Sequence, residues 1–119
     1  MGIFAAIQKR LRRRPKLWDG PITFDDVKFR VGPPRLRELP WLAVERISVY
    51  KVDLLVVDEI RVQFDHPGGS VVVTEESPGF PVFMHEVARR FPMAADWYTA
   101  VSQPAFAACE TTLYEKLHV

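Results

Sequence analysis

From residue 22 onward the apolar positions of this chain recur at every second residue. Ile22 and Phe24 alternate, and Val27, Phe29 and Val31 continue on the opposite parity, so Asp25-Asp26 must form a tight turn or a bulge between them. The pattern predicts a hairpin or one bent strand. Gly32-Pro33-Pro34 interrupts it. Trp41, Val44, Ile47 and Val49 resume it as far as Val52, with three-residue steps that indicate a bulge. Ile60, Val62 and Phe64 then alternate with Glu59, Arg61 and Gln63, which predicts a strand with one wet face. His66-Pro67-Gly68-Gly69 reads as a turn, and Ser70 to Glu75 as its returning hairpin partner.

The period lengthens in the final third. Phe80, Phe83, Met84, Val87 and Phe91 share one helical stripe, with Ser77 placed to cap it, Pro78 suited to its first turn and Pro92 to stop it. Asp96 can cap a second helix, whose stripe of Trp97, Val101, Phe106, Cys109, Leu113 and Leu117 runs through a break at Pro104. Strands followed by helices, without alternation, predict an α+β fold: an antiparallel sheet covered by C-terminal helices.

Ahead of the strands lies a segment of a different kind. Ile3, Phe4, Ile7 and Leu11 form an apolar stripe, and Lys9, Arg10, Arg12, Arg13 and Arg14 occupy the rest of a predicted short amphipathic helix that Pro15 ends. Residues 1 to 20 therefore read as a basic leader and linker, and residues 21 to 119 as a single α+β domain. The charge separates in the same way. Residues 1 to 16 carry six Lys/Arg and no acid, whereas the remaining 103 residues hold ten Lys/Arg against fifteen Asp/Glu, a net −5. The overall +1 conceals a basic lead on an acidic body.

Candidate chemistry is sparse. His85-Glu86-Val87-Ala88-Arg89 falls short of the zinc-protease H-E-x-x-H because Arg89 cannot ligate zinc. Gly68-Gly69-Ser70 lacks the lysine of a phosphate-binding loop, and the one cysteine, Cys109, lies in an apolar stripe. No cofactor and no metal is expected, and the pattern predicts a protein that is not an enzyme. The carboxylates come in pairs, Asp25-Asp26, Asp58-Glu59 and Glu75-Glu76, which in principle could act as acid and base or hold a divalent cation, although solubility and local hydrogen bonding are the ordinary reading of them. An acidic body argues against nucleic acid as partner. No apolar run approaches membrane-spanning length, so a cytoplasmic location follows, with the leader able to adsorb peripherally at an anionic inner-membrane surface through Ile3, Phe4, Ile7, Lys9, Arg10, Arg12, Arg13 and Arg14.

Trp41-x2-Val44-x2-Ile47, Tyr50-Lys51-x-Asp53, Asp58-Glu59-Ile60, Glu75-Glu76-x2-Gly79-Phe80, Phe91-Pro92 and Trp97-x6-Pro104-Ala105-Phe106-x5-Thr112-Leu113-Tyr114 together resemble a group of small bacterial proteins, some of which look like pleckstrin-homology-type domains. The likeness covers residues 41 to 114 and leaves out the leader. It implies a bacterial, cytosolic sheet-plus-helix module without catalytic residues, of the general kind that includes partners neutralising toxins. The expected function is a non-enzymatic protein-binding module, of the immunity type that neutralises a basic toxin partner. Its candidate partner-binding residues are Tyr50, Lys51, Asp53, Asp58, Glu59, Glu75 and Glu76. The alternative is a peripheral membrane adaptor, in which the basic helix anchors a pleckstrin-homology-like body.

Overall fold

The computed structural model describes residues 20–33, 35–53, 58–102 and 110–117. The leader residues Ile3 to Arg14, and Phe106 and Cys109 of the predicted second stripe, lie outside the described residues. Within them the fold is α+β. Strands β1 (Ile22–Phe24), β2 (Lys28–Val31) and β3 (Arg37–Pro40) form one antiparallel sheet in that order. Strands β4 (Arg46–Asp53), β5 (Asp58–His66), β6 (Gly69–Thr74) and β7 (Thr111–Glu115) form a second, in the order β6-β5-β4-β7. Helix α1 (Phe80–Arg90) and the short α2 (Trp97–Ser102) fall between β6 and β7.

Half-burial explains why these segments become strands. In β2, Phe29 and Val31 are buried while Arg30 is exposed; in β5, Ile60, Val62 and Phe64 are buried; in β6, Val71 and Val73 are buried. The hairpin between β1 and β2 turns where the parity of the pattern switches. Asp25 Oδ1 accepts from the backbone N–H of Val27 (2.8 Å) and of Lys28 (3.0 Å), so the side chain satisfies donors that the turn leaves over. These two bonds hold the Asp25 carboxyl below its usual range, with smaller help from Arg30 and Lys28.

The core lies between the two sheets and α1. Phe29 from the first sheet, Phe64 from the second and Phe83 from the helix meet with ring centroids 4.9 to 5.6 Å apart, all three fully buried. Trp41 adds a fourth ring, 5.1 Å from Phe29 and 6.0 Å from Phe83. Its indole Nε1–H donates to the Asp25 carbonyl at 2.8 Å, and the Arg90 guanidinium lies 4.6 Å over its ring, which ties the β1–β2 turn to the end of α1.

Four features differ from the sequence pattern. There are two sheets, because β3, which buries only Leu39, pairs with β2 and completes a separate three-stranded layer. Trp41 opens a single 3-10 turn (Trp41–Ala43), and β4 begins only at Arg46. Helix α1 is capped by Gly79, not Ser77. Gly79 adopts a left-handed φ of 89°, and a Cβ there would lie 2.8 Å from the Ile22 carbonyl oxygen, so glycine is required both by its conformation and by the close approach. Pro78 stays in the preceding turn, where its carbonyl accepts from Ile22 N–H, and Pro81 takes the place in the first turn. Lastly, the helical stripe expected through Leu113 and Leu117 gives way to β7. Leu113 is buried in a strand beside β4, next to a register shift between Ile47 and Ser48, and Leu117 is exposed beyond it. Thr111, Thr112 and Tyr114 have the side chains of a half-buried strand, and pairing with β4 outweighs the helical spacing.

Candidate partner-binding site

The register of the second sheet sets the site. Asp53 lies opposite Asp58, Val52 opposite Glu59, Lys51 opposite Ile60 and Tyr50 opposite Arg61. On the other side of β5, Arg61 lies opposite Thr74, and the ladder continues one step as Glu75 N–H donates to the Ile60 carbonyl at 3.0 Å. Tyr50, Lys51 and Asp53 on β4, Asp58 and Glu59 on β5, and Glu75 and Glu76 just after β6 thus converge on one end of the sheet. Three sequence-separated acidic segments become neighbours there.

Their environments differ. Glu59 is buried, 2% exposed, and its Oε1 accepts from Arg61 Nε at 2.8 Å. The two residues are two apart on β5 and point to the same face, and this face is not the wet one that the alternation predicts. An ion pair withdrawn this far from water depends on both partners being present. Glu59 is therefore part of the scaffold of the site, not of its exposed surface. Glu75 is exposed, yet its Oε1 accepts from the Ile60 N–H at 2.9 Å. Glu76 is exposed and anchored through its backbone, whose N–H donates to Thr74 Oγ1 at 3.1 Å. Burial pushes the Tyr50 hydroxyl above its usual range against the opposing pull of Arg61, so it stays protonated at neutral pH and can donate a hydrogen bond. Lys51 is half-buried. Asp53 and Asp58 are placed here by their backbone register.

The chemistry of such an end is electrostatic. Five carboxylate residues and two cationic ones, Lys51 and Arg61, share this end of the strands, and Arg61 is engaged by Glu59. Among the described residues no group of three or more His, Cys, Asp or Glu could hold a metal ion. His85 is exposed on α1, and His66 ends β5, where its Nδ1 accepts from Gly68 N–H in the following turn at 3.2 Å. No helix among the described residues is long and apolar enough to cross a membrane.

A second surface escaped the sequence pattern. Leu42 is 92% exposed and Val27 67%, and Phe24 is partly exposed, all on segments tied to Trp41: Phe24 by a ring contact of 6.4 Å, Val27 by accepting from Trp41 N–H at 2.9 Å and Leu42 by adjacency. Beside this corner, Thr23, Phe24, Asp25, Lys28 and Arg30 line a small open pocket, but both of its cations are engaged by Glu38, at 3.0 and 3.1 Å. Comparison with family models, curated proteins and solved structures finds no match to this chain.

Proposed function

We propose that this chain is a non-enzymatic binding module that takes a basic protein partner at the acidic end of its second sheet, in the manner of an immunity protein that neutralises a toxin. The observation that carries this reading is the register that brings Asp53, Asp58, Glu59, Glu75 and Glu76 to one end of the strands. A concentrated negative patch on a body with a net charge of −5 accelerates encounter with a cationic surface and disfavours acidic competitors. Within the patch the roles divide. Glu59 is committed to Arg61 and Glu75 to the Ile60 amide, so the exposed Glu76 makes the contact that reads the partner.

The test is an NMR titration of the full chain with an arginine-rich peptide at low and high salt. Salt-sensitive shifts confined to residues 50–53, 58–61 and 74–77, and lost in Glu76→Lys, support the reading. Absence of binding, or shifts centred on another surface, refutes it.

A second reading rests on a separate observation, the crowding of six basic residues into positions 9 to 16 next to an apolar stripe. On this reading the protein is a cytoplasmic, peripherally bound adaptor, and the leader holds a pleckstrin-homology-like body at an anionic membrane. Co-sedimentation with phosphatidylserine vesicles separates the two. Binding that disappears on deletion of residues 1 to 16 favours the adaptor, and no binding by the full chain eliminates it.

A further inference from the structure

We infer that Arg35-Leu36-Arg37, at one tip of the first sheet, is a second membrane contact, through which the body meets the anionic lipid surface that takes the leader. The inference rests on the adaptor reading and adds to it the face of the body that turns to the lipid. Basic charge does not end with the leader. Residues 1–40 hold ten Lys/Arg against four Asp/Glu, whereas residues 41–119 hold six against eleven, so the first sheet shares the sign of the leader and the acid lies beyond it.

Most cations of the body are held by carboxylates: Lys28 and Arg30 by Glu38, Arg46 by Glu110, Arg61 by Glu59, and Arg89 and Arg90 by Glu86. Arg35 and Arg37 have no ion pair and no side-chain hydrogen bond among the described residues. Arg35 is exposed, Arg37 is half-buried where β3 begins, and Leu36 between them is 58% exposed. Two unpaired guanidiniums attract anionic head groups, and the leucine gains by entering the boundary with the acyl chains. An aliphatic tip favours lipid over nucleic acid, whose bases stack on aromatic side chains.

The fold ties this tip to the leader. Gly20 runs so close to the following loop that a Cβ there would collide with Gly32 Cα and lie 2.6 Å from the Pro33 carbonyl oxygen, and Gly32 N–H donates to the Pro21 carbonyl at 3.0 Å. Gly32 in turn backs onto the Arg35 carbonyl, which a Cβ on Gly32 would strike. The leader therefore joins the body beside Arg35. Lys16, the last of its basic residues, is four positions before Gly20, a span of at most about 14 Å, so leader and tip reach one surface together and each strengthens the other's hold.

The acidic end does not cancel the tip. Pro78, two residues after Glu76, accepts from Ile22 N–H on the free side of β1, while Arg37 belongs to β3, so β1 and β2 lie between them. Three spacings of roughly 4.8 Å set Pro78 about 14 Å from Arg37, beyond the screening length of about 8 Å at physiological salt. Glu38, the carboxylate next to the tip, is neutralised by Lys28 and Arg30.

Co-sedimentation of the full chain with phosphatidylserine vesicles at low and high salt tests the inference. Arg35→Gln with Arg37→Gln should weaken low-salt binding about 25-fold, at about fivefold for each arginine, with the melt unchanged. Arg35→Gln alone, at an exposed position outside any strand, should still cost about fivefold, which keeps the test sound if the double variant folds poorly. Leu36→Ala should weaken binding at high salt as well, and Leu36→Trp should be quenched by brominated acyl chains more strongly than the wild type. Binding that none of these variants alters overturns the inference and leaves the adaptor reading standing, whereas no binding by the full chain overturns both. A full chain that takes single-stranded RNA and no vesicles overturns it too.

Discussion

Glu75 bonds Ile60 twice: its backbone N–H donates to the Ile60 carbonyl at 3.0 Å, and its side-chain Oε1 accepts from the Ile60 N–H at 2.9 Å. The side chain supplies the acceptor that a continuing strand would offer from its backbone, and so finishes the β5–β6 ladder at the point where the chain turns away. Glu75→Ala should leave that amide unpaired and lower stability by about 1 to 2 kcal/mol. Glu75→Gln keeps the acceptor and should melt close to wild type. Thermal unfolding of the two variants decides it, and equal losses in both would show that charge, not the acceptor, is what matters.

The three-ring junction of Phe29, Phe64 and Phe83 joins both sheets to α1, with each ring fully buried. Phe83→Ala should cost about 3 to 5 kcal/mol through lost burial and the cavity left behind. Since an ordinary domain has only about 5 to 15 kcal/mol in total, urea titration should place this variant at the edge of folding. Val82→Ala, at an exposed neighbouring position of the same helix, should be close to neutral.

Gly79 answers two demands, a left-handed backbone and a 2.8 Å approach to the Ile22 carbonyl oxygen. Gly79→Ala should therefore destabilise by more than the roughly 1 kcal/mol of the conformation alone, with Ser77→Ala as the contrast. If the serine side chain were the cap, the order of the two losses would reverse in the melts.

Acid should weaken the fold in a defined direction. Bonds from Arg89 first, and then Arg90, hold the Glu86 carboxyl below its ordinary value of 4.5, and a bond from Lys28 does the same for Glu38. A carboxyl whose folded value is depressed contributes stability that is fully present above the unfolded value and is lost as pH falls through the folded one. The melting temperature should therefore be flat from neutrality down to about pH 5 and decline below about pH 4. Glu86→Gln should make that decline shallower. An unchanged acid limb in Glu86→Gln would remove the Arg89 and Arg90 contacts as its source.

Sequence pattern revealed those elements that bury one face and expose the other. β2, β5 and β6 show a two-residue period because Phe29, Val62 and Val73 alternate with polar or half-buried neighbours, and α1 shows the longer period through Phe80, Phe83, Met84 and Val87. β3 left no trace because Leu39 is its one buried apolar residue, and a single residue has no period. β7 carries a helical spacing because Leu113 falls four residues from both Cys109 and Leu117, although it lies in a strand that pairs with one more than sixty positions earlier. The site was legible as three scattered acidic segments. That they form one end depends on register, a long-range property that no local window contains. The burial of Glu59 was equally hidden, since it depends on what covers the opposite face of the sheet.

The pairing of β4 with β7 joins Arg46 to Thr112 across 66 positions of chain, with α1 and α2 in between. Hairpins β4–β5 and β5–β6 need only local closure, so three strands of the second sheet can zip early, whereas the fourth must wait until the helices have packed and brought it back. The sheet is thus assembled in two acts separated in time. Until the second act, the Ile47–Val49 stretch of β4 is an uncovered flank, so the interval before β7 docks is when the nascent chain most needs protection from aggregation.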